Sequence, residues 1–393
     1  MNRLEELIAE LCPNGVEYKE LSTIFNTRNG YTPSKSNREF WVNGTVPWFR
    51  MEDIREKGLI LSSATQMVSR SAVKGKLFPP NSIIVATSAT IGEHALITVP
   101  SLANQRFTYL VLKTEYQHLF NIKFLYYCCF KLDQYCKECL NQGNFASVDM
   151  KKFAKFQFPV PPLSVQSEIV RILDNFTELT AELMAELTAR RKQYKYYRDK
   201  LLTFDFLKER ANSVVWRTLG EIADIKTGKK PETVLEAGLF EYINAGTSNS
   251  GYTNDFCFSE DTVTTPSRGQ GGIGFVGYQK RPFWLGPLCY GIRAKDSSIA
   301  CNKFLYYFLF NNSETIMKKK NEGGTPALNL RDLQTIRVPL LPISIQQHIV
   351  TILDRFDILC NDPASGLPAE IAARQKQYEY YRDKLLTFKE LTA

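Results

Sequence analysis

One glycine pattern in the chain has the spacing of a nucleotide-binding loop. Gly272, Gly274 and Gly277 form a Gly-x-Gly-x-x-Gly sequence, which binds dinucleotides when it connects a strand to the N-terminus of a helix. That context is absent on both sides, because no strand precedes it and the following residues, 278–282 (YQKRP), do not open a helix easily. The pattern therefore predicts a glycine-rich turn and not a nucleotide site.

Cysteines form the second group of residues that could do chemistry. Cys136 and Cys139 have the spacing of half a zinc site, and Cys128 and Cys129 lie about two helical turns earlier. Two interpretations stay open: a four-cysteine zinc site, or buried and surface thiols on a helix. The second is favoured.

Other catalytic signatures are missing from the sequence. No Gly-x-x-x-x-Gly-Lys-Ser/Thr loop and no Asn/Asp-Pro-Pro-Tyr/Phe signature of amino-methyltransferases occurs, and the Glu-x-Lys at 17–19 has no Asp before it. The three histidines are scattered, at His94, His118 and His348. We therefore expect neither a catalytic site nor a metal site.

Length and composition indicate a globular protein of at least two domains. The chain has 393 residues, of which 44% are apolar and 23% charged, which excludes a disordered chain, a collagen and a small disulfide scaffold. The net charge of +8 suits a polyanion partner, although it is equally compatible with a soluble protein that is merely basic.

The N-terminal segment and the cysteine count predict a cytoplasmic protein. Residues 1–10 are amphipathic and acidic, unlike a signal peptide, and the most apolar run, 124–130, is far shorter than a membrane span. In that compartment the nine cysteines are expected to be reduced thiols.

The strongest feature of the sequence is an internal repeat. Residues 192–204 (KQYKYYRDKLLTF) recur as 376–388 with one difference, Lys195 against Glu379. Upstream, PPLSVQSEIVRILD at 161–174 aligns with LPISIQQHIVTILD at 341–354, and the FLYY of 124–127 recurs at 304–307. The chain is therefore one unit of about 180 residues used twice, which is too long a period for a solenoid.

The first repeated block predicts a long helix over 163–204. Two series of residues recur every seven positions, which is typical of a coiled-coil seam. Such a helix would be roughly 63 Å long at 1.5 Å per residue, so we expect it to pack against the second copy. The series are Leu173, Thr180, Leu187, Tyr194 and Leu201, and Phe176, Leu183, Arg190, Tyr197 and Phe204.

The second copy is interrupted by Asp362-Pro363, Ser365-Gly366 and Pro368. We expect one helix up to about Cys360, a short loop, and a helix that opens at Pro368. Acidic residues lie early and basic residues late in the first long helix. Antiparallel packing could pair these charges, or they could complement only the helix dipole and water.

The segments before each helix are mixed in character and agree poorly with each other. Residues 82–86 and 107–112 are predicted strands, and 124–137 a helix, separated by polar loops. Two different globular heads on one repeated frame are what two different targets would require.

The repeated blocks resemble a known family. PPLSVQSEIVRILDNFTELTAELMAELTARRKQYKYYRDKLLTF resembles the first conserved region of type I restriction–modification specificity subunits, and GLPAEIAARQKQYEYYRDKLLTF, which begins at Gly366, resembles the second. The Ala-Glu-Leu tracts at 181–183 and 185–187 resemble the spacer repeat of that family, with Met184 in place of its usual Thr.

The resemblance implies a non-catalytic subunit that reads double-stranded DNA. It implies two target-recognition domains, each reading one half of a split, asymmetric site, with the helices setting the gap. It also implies two methyltransferase subunits as partners, with restriction subunits that can join, and no membrane. No cofactor is expected in this chain, since S-adenosylmethionine, ATP and Mg²⁺ would be bound by the partners. A coiled-coil scaffold with two protein-binding heads remains the alternative.

The fold class that follows is α+β, with two mixed α/β recognition domains separated by long helical regions packed as an antiparallel coiled coil in a pseudo-two-fold repeat. The segments expected are recognition domain 1 (1–160), helical region 1 (161–205), recognition domain 2 (206–340) and helical region 2 (341–393).

Polar loop residues are the candidates for DNA contact, because base edges are read by Arg, Lys, Asn, Gln, Ser and Thr side chains. A solvated loop residue is the alternative at each position. The candidates in the first domain are Lys35, Arg50, Thr87, Ser88, Thr90, Asn104, Gln105, Arg106, Asn141, Gln142 and Asn144. Those in the second are Lys229, Lys230, Asn244, Ser267, Arg268, Gln270, Gln279, Lys280, Arg281 and Asn321.

A second set is expected to form the coiled coil or to dock the methyltransferase. The tyrosines in it could instead be stacking platforms, but their helical spacing favours packing. The set is Leu173, Phe176, Leu183, Leu187, Tyr194, Tyr197, Leu201, Tyr378, Tyr381 and Leu385.

Overall fold

The structure, a computed structural model, describes residues 3–141, 146–203, 214–269, 271–321 and 325–391. It divides into two compact units, residues 1–182 together with 372–393, and residues 183–371. The repeat in the sequence is a repeat in the fold, because each unit contains the same order of small sheets and a helix packed on a scaffold helix. The four segment boundaries expected from the sequence remain a prediction.

The first unit is built from ten strands and the helices between them. The strands are β1 Glu17–Glu20, β2 Phe25–Asn29, β3 Val46–Phe49, β4 Ile60–Leu61, β5 Met67–Val68, β6 Ser82–Ala86, β7 His94–Ile97, β8 Leu102–Ala103, β9 Phe107–Leu112 and β10 Gln157–Val160. The helices are α1 Arg3–Leu11, α2 Leu21–Ile24, α3 Met51–Lys57, α4 Ile122–Glu138, α5 Met150–Phe153 and the long α6 Leu163–Leu201, whose second half belongs to the other unit.

The second unit repeats this arrangement with shorter connections. Its strands are β11 Val215–Thr218, β12 Ala223–Thr227, β13 Phe240–Ile243, β14 Tyr252–Thr253, β15 Thr262–Pro266, β16 Gly277–Gln279, β17 Trp284–Leu285, β18 Cys289–Ala294 and β19 Arg337–Leu340. Its helices are α7 Leu219–Ile222, α8 Asn302–Asn311, α9 Ser313–Met317, α10 Leu330–Gln334 and α11 Ile343–Asn361, and α12 Leu367–Leu385 follows.

The sheets of the two units have matching topology. The larger sheet is ordered β2-β9-β6-β7-β4 in the first unit and β12-β18-β15-β16 in the second. A three-stranded sheet, β5-β3-β8 or β14-β13-β17, joins one antiparallel and one parallel neighbour to its central strand. A short antiparallel pair, β1-β10 or β11-β19, closes each unit next to the scaffold helix.

The expected secondary structure is largely confirmed. Strands occur at 82–86 and 107–112, and the helix expected over 124–137 spans Ile122–Glu138. Helix α6 ends at Leu201, helix α11 at Asn361, and α12 opens at Leu367, one residue before Pro368. Residues 271–274 form turns, as the glycine pattern predicts. The last seam position, Phe204, lies outside the described residues.

The core of each unit joins the repeated helix of the head to the scaffold. In the first unit Phe124 of α4 is fully buried with Ile169 and Leu173 of α6. In the second unit Phe304 of α8 is fully buried with Ile349 and Leu353 of α11. Each fully buried aromatic ring removes a large apolar area from water, so this contact is a main source of stability.

Matching aromatic stacks join the scaffold helices within each unit. Phe176 stacks on Tyr381 with ring centroids 5.7 Å apart and also contacts Tyr378. In the second unit Tyr194 and Tyr197 stack on Phe356, at 6.1 and 5.7 Å.

The second-unit pair of scaffold helices runs antiparallel. Arg191 donates to the carbonyl of Cys360, and further along α6 Tyr197 reaches Phe356, which lies earlier in α11. The charged pairs that α6 shows here lie within the helix, between Arg190 and Glu186 at 3.4 Å and between Arg198 and Asp199 at 3.0 Å. They test neither of the two expected roles of the helix charges, which stay predictions.

Two further observations concern the described ranges. Among these residues no helix is long and apolar enough to cross a membrane. Nor does this part of the chain hold a group of three or more His, Cys, Asp or Glu side chains suited to a metal ion. Cys128, Cys129, Cys136 and Cys139 are buried free thiols, and burial raises the pKa of Cys136 to about 12. They are packing residues.

Candidate nucleic-acid interface

In the first unit, three separate loops meet where strand β6 ends. The amide of Thr87 donates to the carbonyl of Arg106 (3.0 Å), and the amide of Val148 donates to the carbonyl of Thr87 (2.9 Å). Ser88 forms a bridge with Ser147. The chain then turns through Ala89, which has a left-handed φ of 67°. These contacts define the first loop cluster: residues 87–90, 104–106, 141 and 147.

The loop at 104–106 is fixed by its own hydrogen bonds. The amide of Asn104 donates to the carbonyl of Phe49 (3.0 Å), and the Oδ1 of Asn104 accepts from the amide of Arg106 (2.9 Å). Gln105 accepts a hydrogen bond from Thr32. The side chains of Gln105 and Arg106 are left exposed on a backbone that is held in place.

The loop after α4 supplies the third side of the cluster. The amide of Asn141 donates to the carbonyl of Ser147 (2.9 Å), and its side-chain amide reaches the Oγ of Ser147 (3.3 Å). Asn141 itself is exposed. Gln142 and Asn144, which were predicted to contact DNA from this loop, lie outside the described residues.

Thr87 and Thr90 differ from the other candidates in this cluster. The Thr87 hydroxyl is buried and hydrogen-bonded to Thr108 (3.1 Å), so it supports the loop from below. The Thr90 hydroxyl is buried without a partner among the described atoms. Contact of either residue with DNA stays a prediction.

A cavity of about 490 Å³ with cationic and aromatic walls contains the remaining two candidates of the first unit. Trp41 and Trp48 meet edge to face with ring centroids 5.0 Å apart, and the guanidinium of Arg50 lies 5.9 Å from the Trp48 ring. Lys35 and Arg38 complete its charged rim. Cations beside aromatic faces suit phosphate and base contacts.

The second unit assembles a loop cluster with the same backbone hydrogen bonds. The amide of Ser267 donates to the carbonyl of Leu288, and the amide of Leu328 donates to the carbonyl of Ser267, both at 2.8 Å. Arg268 forms a bridge with Ala327, as Ser88 does with Ser147. The second loop cluster comprises residues 244, 267–269, 286–288, 321 and 327. Gln270 lies outside the described residues.

Side chains of this second cluster are anchored or exposed in a different pattern. The Oδ1 of Asn244 accepts from the amide of Leu288 (2.9 Å), and the amide of Asn321 donates to the carbonyl of Ala327 (2.9 Å). Ser267 is buried, whereas Arg268 is exposed. Lys229 is held through its amide to the carbonyl of Leu285 (3.0 Å), and both Lys229 and Lys230 are exposed.

Three candidates of the second unit lie away from this cluster. Gln279 pairs with Thr262 at the start of β15, whereas Ser267 follows the end of that strand. Gln279, Lys280 and Arg281 line a different cavity of about 490 Å³ together with Glu241. The structure therefore does not bring them together with Arg268.

The structure also adds residues that the sequence did not single out. Ser147 and Ala327 form bridges with Ser88 and Arg268 of the two loop clusters, and Thr32 donates to Gln105. No local pattern marks these residues, because each contributes through a partner far away in the chain. Asp174 and Asp354, by contrast, can be identified from the sequence, because each ends an Ile-Leu-Asp segment that occurs in both copies of the repeated block.

The predicted seam residues range from buried to exposed. Leu173 and Leu201 are buried, and Phe176, Tyr194, Tyr378 and Leu385 are half-buried. Leu183 and Leu187 are half-buried at the middle of α6, and Tyr197 and Tyr381 are exposed at 38% and 37%. The stacks at Phe176 and Phe356 use both half-buried and exposed tyrosines.

A buried histidine–carboxylate contact follows the turn of the first loop cluster. The Nδ1 of His94 lies 2.6 Å from the Oδ2 of Asp133, joining β7 to α4 just after the turn that follows Ser88. Burial raises the pKa of Asp133, and the neighbouring His94 acts in the opposite direction.

Comparison with known proteins shows what this architecture is similar to. Residues 13–190 and 213–373 match the family model of the type I restriction modification DNA specificity domain. The EcoprrI type I restriction enzyme specificity subunit of Escherichia coli is 44% identical over 369 residues, covering 88% of each chain. The EcoR124I/EcoR124II specificity subunit of the same organism is 34% identical over 284 residues, covering 63% of this chain and 68% of its own.

Solved structures share the fold at low sequence identity. The type I restriction–modification S subunit from M. genitalium superposes with a TM-score of 0.57 at 19% identity, covering 96% of this chain and 97% of its own. A chain from a study of assembly and conformational transition in a type I R-M system gives 0.60 at 17% identity, covering 95% and 98%. With the two-segment family match and the 44% identical relative, the repeated fold means that this chain belongs to the family of type I restriction–modification specificity subunits.

Proposed function

We propose that this chain reads an asymmetric, bipartite DNA site, with one half-site bound by each recognition domain, and performs no catalysis itself. One observation carries the proposal: the two loop clusters share their backbone hydrogen bonds but differ in the side chains they present. Ser88 corresponds to Arg268, and Arg106 to Leu288. A common frame with different base-contacting chemistry is what two different half-sites require.

The partners we infer are two methyltransferase subunits, joined in the full complex by restriction subunits. Each unit presents an exposed pair of tyrosine rings in nearly identical geometry, Tyr196–Tyr197 and Tyr380–Tyr381, both with centroids 5.4 Å apart. Two copies of one docking surface suit two copies of one partner. S-adenosylmethionine, ATP and Mg²⁺ would then be bound by the partners, in the cytoplasm.

The test is a methylation map. The chain is co-expressed with its methyltransferase subunit in a methylation-deficient host, and N6-methyladenine is located across the genome. A single split motif with a fixed gap supports the proposal. Assembly of the complex with no new methylation, and no salt-sensitive affinity for duplex DNA, would favour a scaffold with two protein-binding heads instead.

We further propose that helix α6 acts as a ruler for the gap between the half-sites. Inserting a second Thr-Ala-Glu-Leu after Leu183 lengthens the helix by about 6 Å, which corresponds to one or two base pairs at roughly 3.4 Å each. The methylated motif of that variant should keep both half-sites and widen its gap. An unchanged gap would show that the helix does not set it.

A further inference from the structure

The same polar contact occurs between head and scaffold in both units. In the first unit Asp174 of α6 accepts a hydrogen bond from the hydroxyl of Tyr127 (2.7 Å) and lies 2.6 Å from the ammonium of Lys123, both on α4. In the second unit Tyr307 and Lys303 of α8 reach Asp354 of α11 at 2.6 and 2.8 Å. We call each set of three residues a carboxylate clamp.

The clamps combine a buried donor with an accessible ion pair. Tyr127 and Tyr307 are 2% and 1% exposed, so each phenol must direct its hydroxyl to the carboxylate. Accessible Lys–Asp pairs alone contribute little to stability, whereas hydrogen bonds to a charged group are strong and directional. Lys123 and Tyr127 are four residues apart, so they project from one face of their helix, and the same holds for Lys303 and Tyr307.

A second anchor precedes each clamp on the same scaffold helix. The buried Gln166 accepts from the amide of Asn121 (2.8 Å) and donates to the carbonyl of Leu119 (2.8 Å). Gln346 makes the equivalent contacts to Cys301 and Ile299, at 2.9 and 2.8 Å. Each head helix is thus held at the residue before its first turn and again within its first two turns.

Two anchors determine a direction that one anchor cannot. The glutamine and the aspartate are eight residues apart on the scaffold helix, which separates them by about 12 Å. The buried contacts of Phe124 and Phe304 with the scaffold helices are apolar and set no single direction. The clamp adds a directional polar contact to them and fixes a second point one turn or more further along the head helix.

We propose that Asp174 and Asp354 are positioning residues that fix the tilt of each recognition domain on its scaffold helix and so limit how many base pairs can separate the half-sites. This inference rests on the proposed function. A shift of about 3.4 Å at a loop cluster corresponds to one base pair, so a small rotation of a head changes the accepted gap. The clamps are identical in both units although the reading loops differ, as expected of a device that sets position and not sequence.

Three variants of the second unit test this role within the intact complex. Asp354→Asn keeps the volume and an acceptor for Tyr307 but removes the charge that holds Lys303. Tyr307→Phe removes only the hydroxyl. Asp357→Asn is the matched control, since that carboxylate lies on the same helix and accepts from Asn361 of that helix (3.0 Å).

Each variant is co-expressed with the methyltransferase subunit, and methylation is measured on a DNA library in which the gap varies by one base pair around the wild-type value. We expect Asp354→Asn and Tyr307→Phe to raise methylation at the neighbouring gaps relative to the wild-type gap by about tenfold, the size of one lost hydrogen bond to a charged group. The half-site sequences should be unchanged, and Asp357→Asn should behave as wild type.

Other outcomes overturn the inference in distinguishable ways. If the clamp variants lose methylation in equal proportion at every gap, or only lose thermal stability, the clamp is an ordinary structural contact. If wild type methylates a split motif and both clamp variants keep its gap, the positioning role is wrong while the proposed function stands. If wild type produces no split motif at all, the proposed function fails, and this inference fails with it.

Discussion

After strand β6 of the first unit the chain continues as Thr87, Ser88 and Ala89, and after β15 of the second as Ser267, Arg268 and Gly269. Thr87 and Ser267 make the same two backbone hydrogen bonds, and Ala89 and Gly269 both have a left-handed φ, 67° and 116°. At the equivalent position Ser88 is half-buried and carries a small hydroxyl, whereas Arg268 is exposed and carries a guanidinium. The comparison separates what the fold requires, a buried anchor and a turn, from what remains free to specify a target.

The same separation runs through the rest of each unit. Anchors that join head and scaffold are repeated residue for residue, as with Gln166 and Gln346 or Asp174 and Asp354. Side chains at the loop clusters are repeated in part: Asn141 and Asn321 are equivalent, whereas Ser88 differs from Arg268 and Arg106 from Leu288. The repeated residues therefore attach each head to its scaffold helix, and the residues that differ are the ones that the proposed function assigns to recognition.

The largest effect should come from breaking a repeated anchor. Gln346→Ala leaves the amide of Cys301 and the carbonyls of Ile299 and Leu341 without their buried partner, which should cost about 3 kcal/mol of unfolding free energy. Gln166→Ala should cost the same, because its three hydrogen bonds are equivalent.

Urea unfolding followed by circular dichroism measures both costs, with the exposed neighbour Gln347→Ala as the control. Clearly unequal costs for the two glutamines would mean that the heads do not share one mode of attachment.

Much of this frame could be predicted from the sequence, for a physical reason. The seam residues of helix α6 recur every seven positions, and the FLYY and ILD segments recur at a constant offset. Burial on one face of a helix can therefore be detected from the spacing of nearby residues. Gln166 and Gln346 also recur at that offset, but the polar residues that follow them, Ser167 and Gln347, give no sign that these glutamines are buried.

The reading surface was less predictable, because loops approach each other through contacts distant in sequence. Ser88 meets Ser147 and Gln105 meets Thr32, and neither pairing has a sequence period. Thr87 and Ser267 are residue types that can contact base edges, yet both are buried. Lys280 and Arg281 are basic and exposed. They follow Gln279, which pairs with the start of β15, whereas Arg268 follows the end of that strand. Residue type therefore predicts which side chains could contact DNA but not where the fold places them.

The second-largest effect should come from a substitution in one loop cluster that changes one half-site and leaves the other unchanged. If Arg268 contacts a guanine edge, Arg268→Ala should lose about 1–3 kcal/mol of discrimination, so methylation should relax at one position of the second half-site and stay strict in the first. Ser88→Ala should relax the first half-site by less, since a hydroxyl makes fewer base contacts than a guanidinium.

Methylation maps of the two variants provide the measurement. Arg217→Ala serves as the control, because that arginine lies in β11 and pairs with Glu221 at 3.8 Å, away from the loop cluster. Relaxation of both half-sites by one substitution would contradict the assignment of one half-site to each domain.

The smallest effect concerns the aromatic stacks of the scaffold and appears only at alkaline pH. Burial raises the pKa of Tyr378 from 10.0 to about 12, so between these values the unfolded chain can lose the phenolic proton while the folded protein retains it. The contribution of Tyr378 to stability is therefore complete below pH 10 and declines as the pH rises towards 12.

Tyr378→Phe cannot ionise, so it should be slightly less stable than wild type at pH 8 and should recover relative to wild type at pH 11. Urea unfolding at both pH values measures this difference, in which the titration of all other groups cancels. Tyr380→Phe, whose ring is 62% exposed, should show no such change. A difference in stability between wild type and Tyr378→Phe that is equal at the two pH values would mean that the folded protein does not shield the Tyr378 phenol from water.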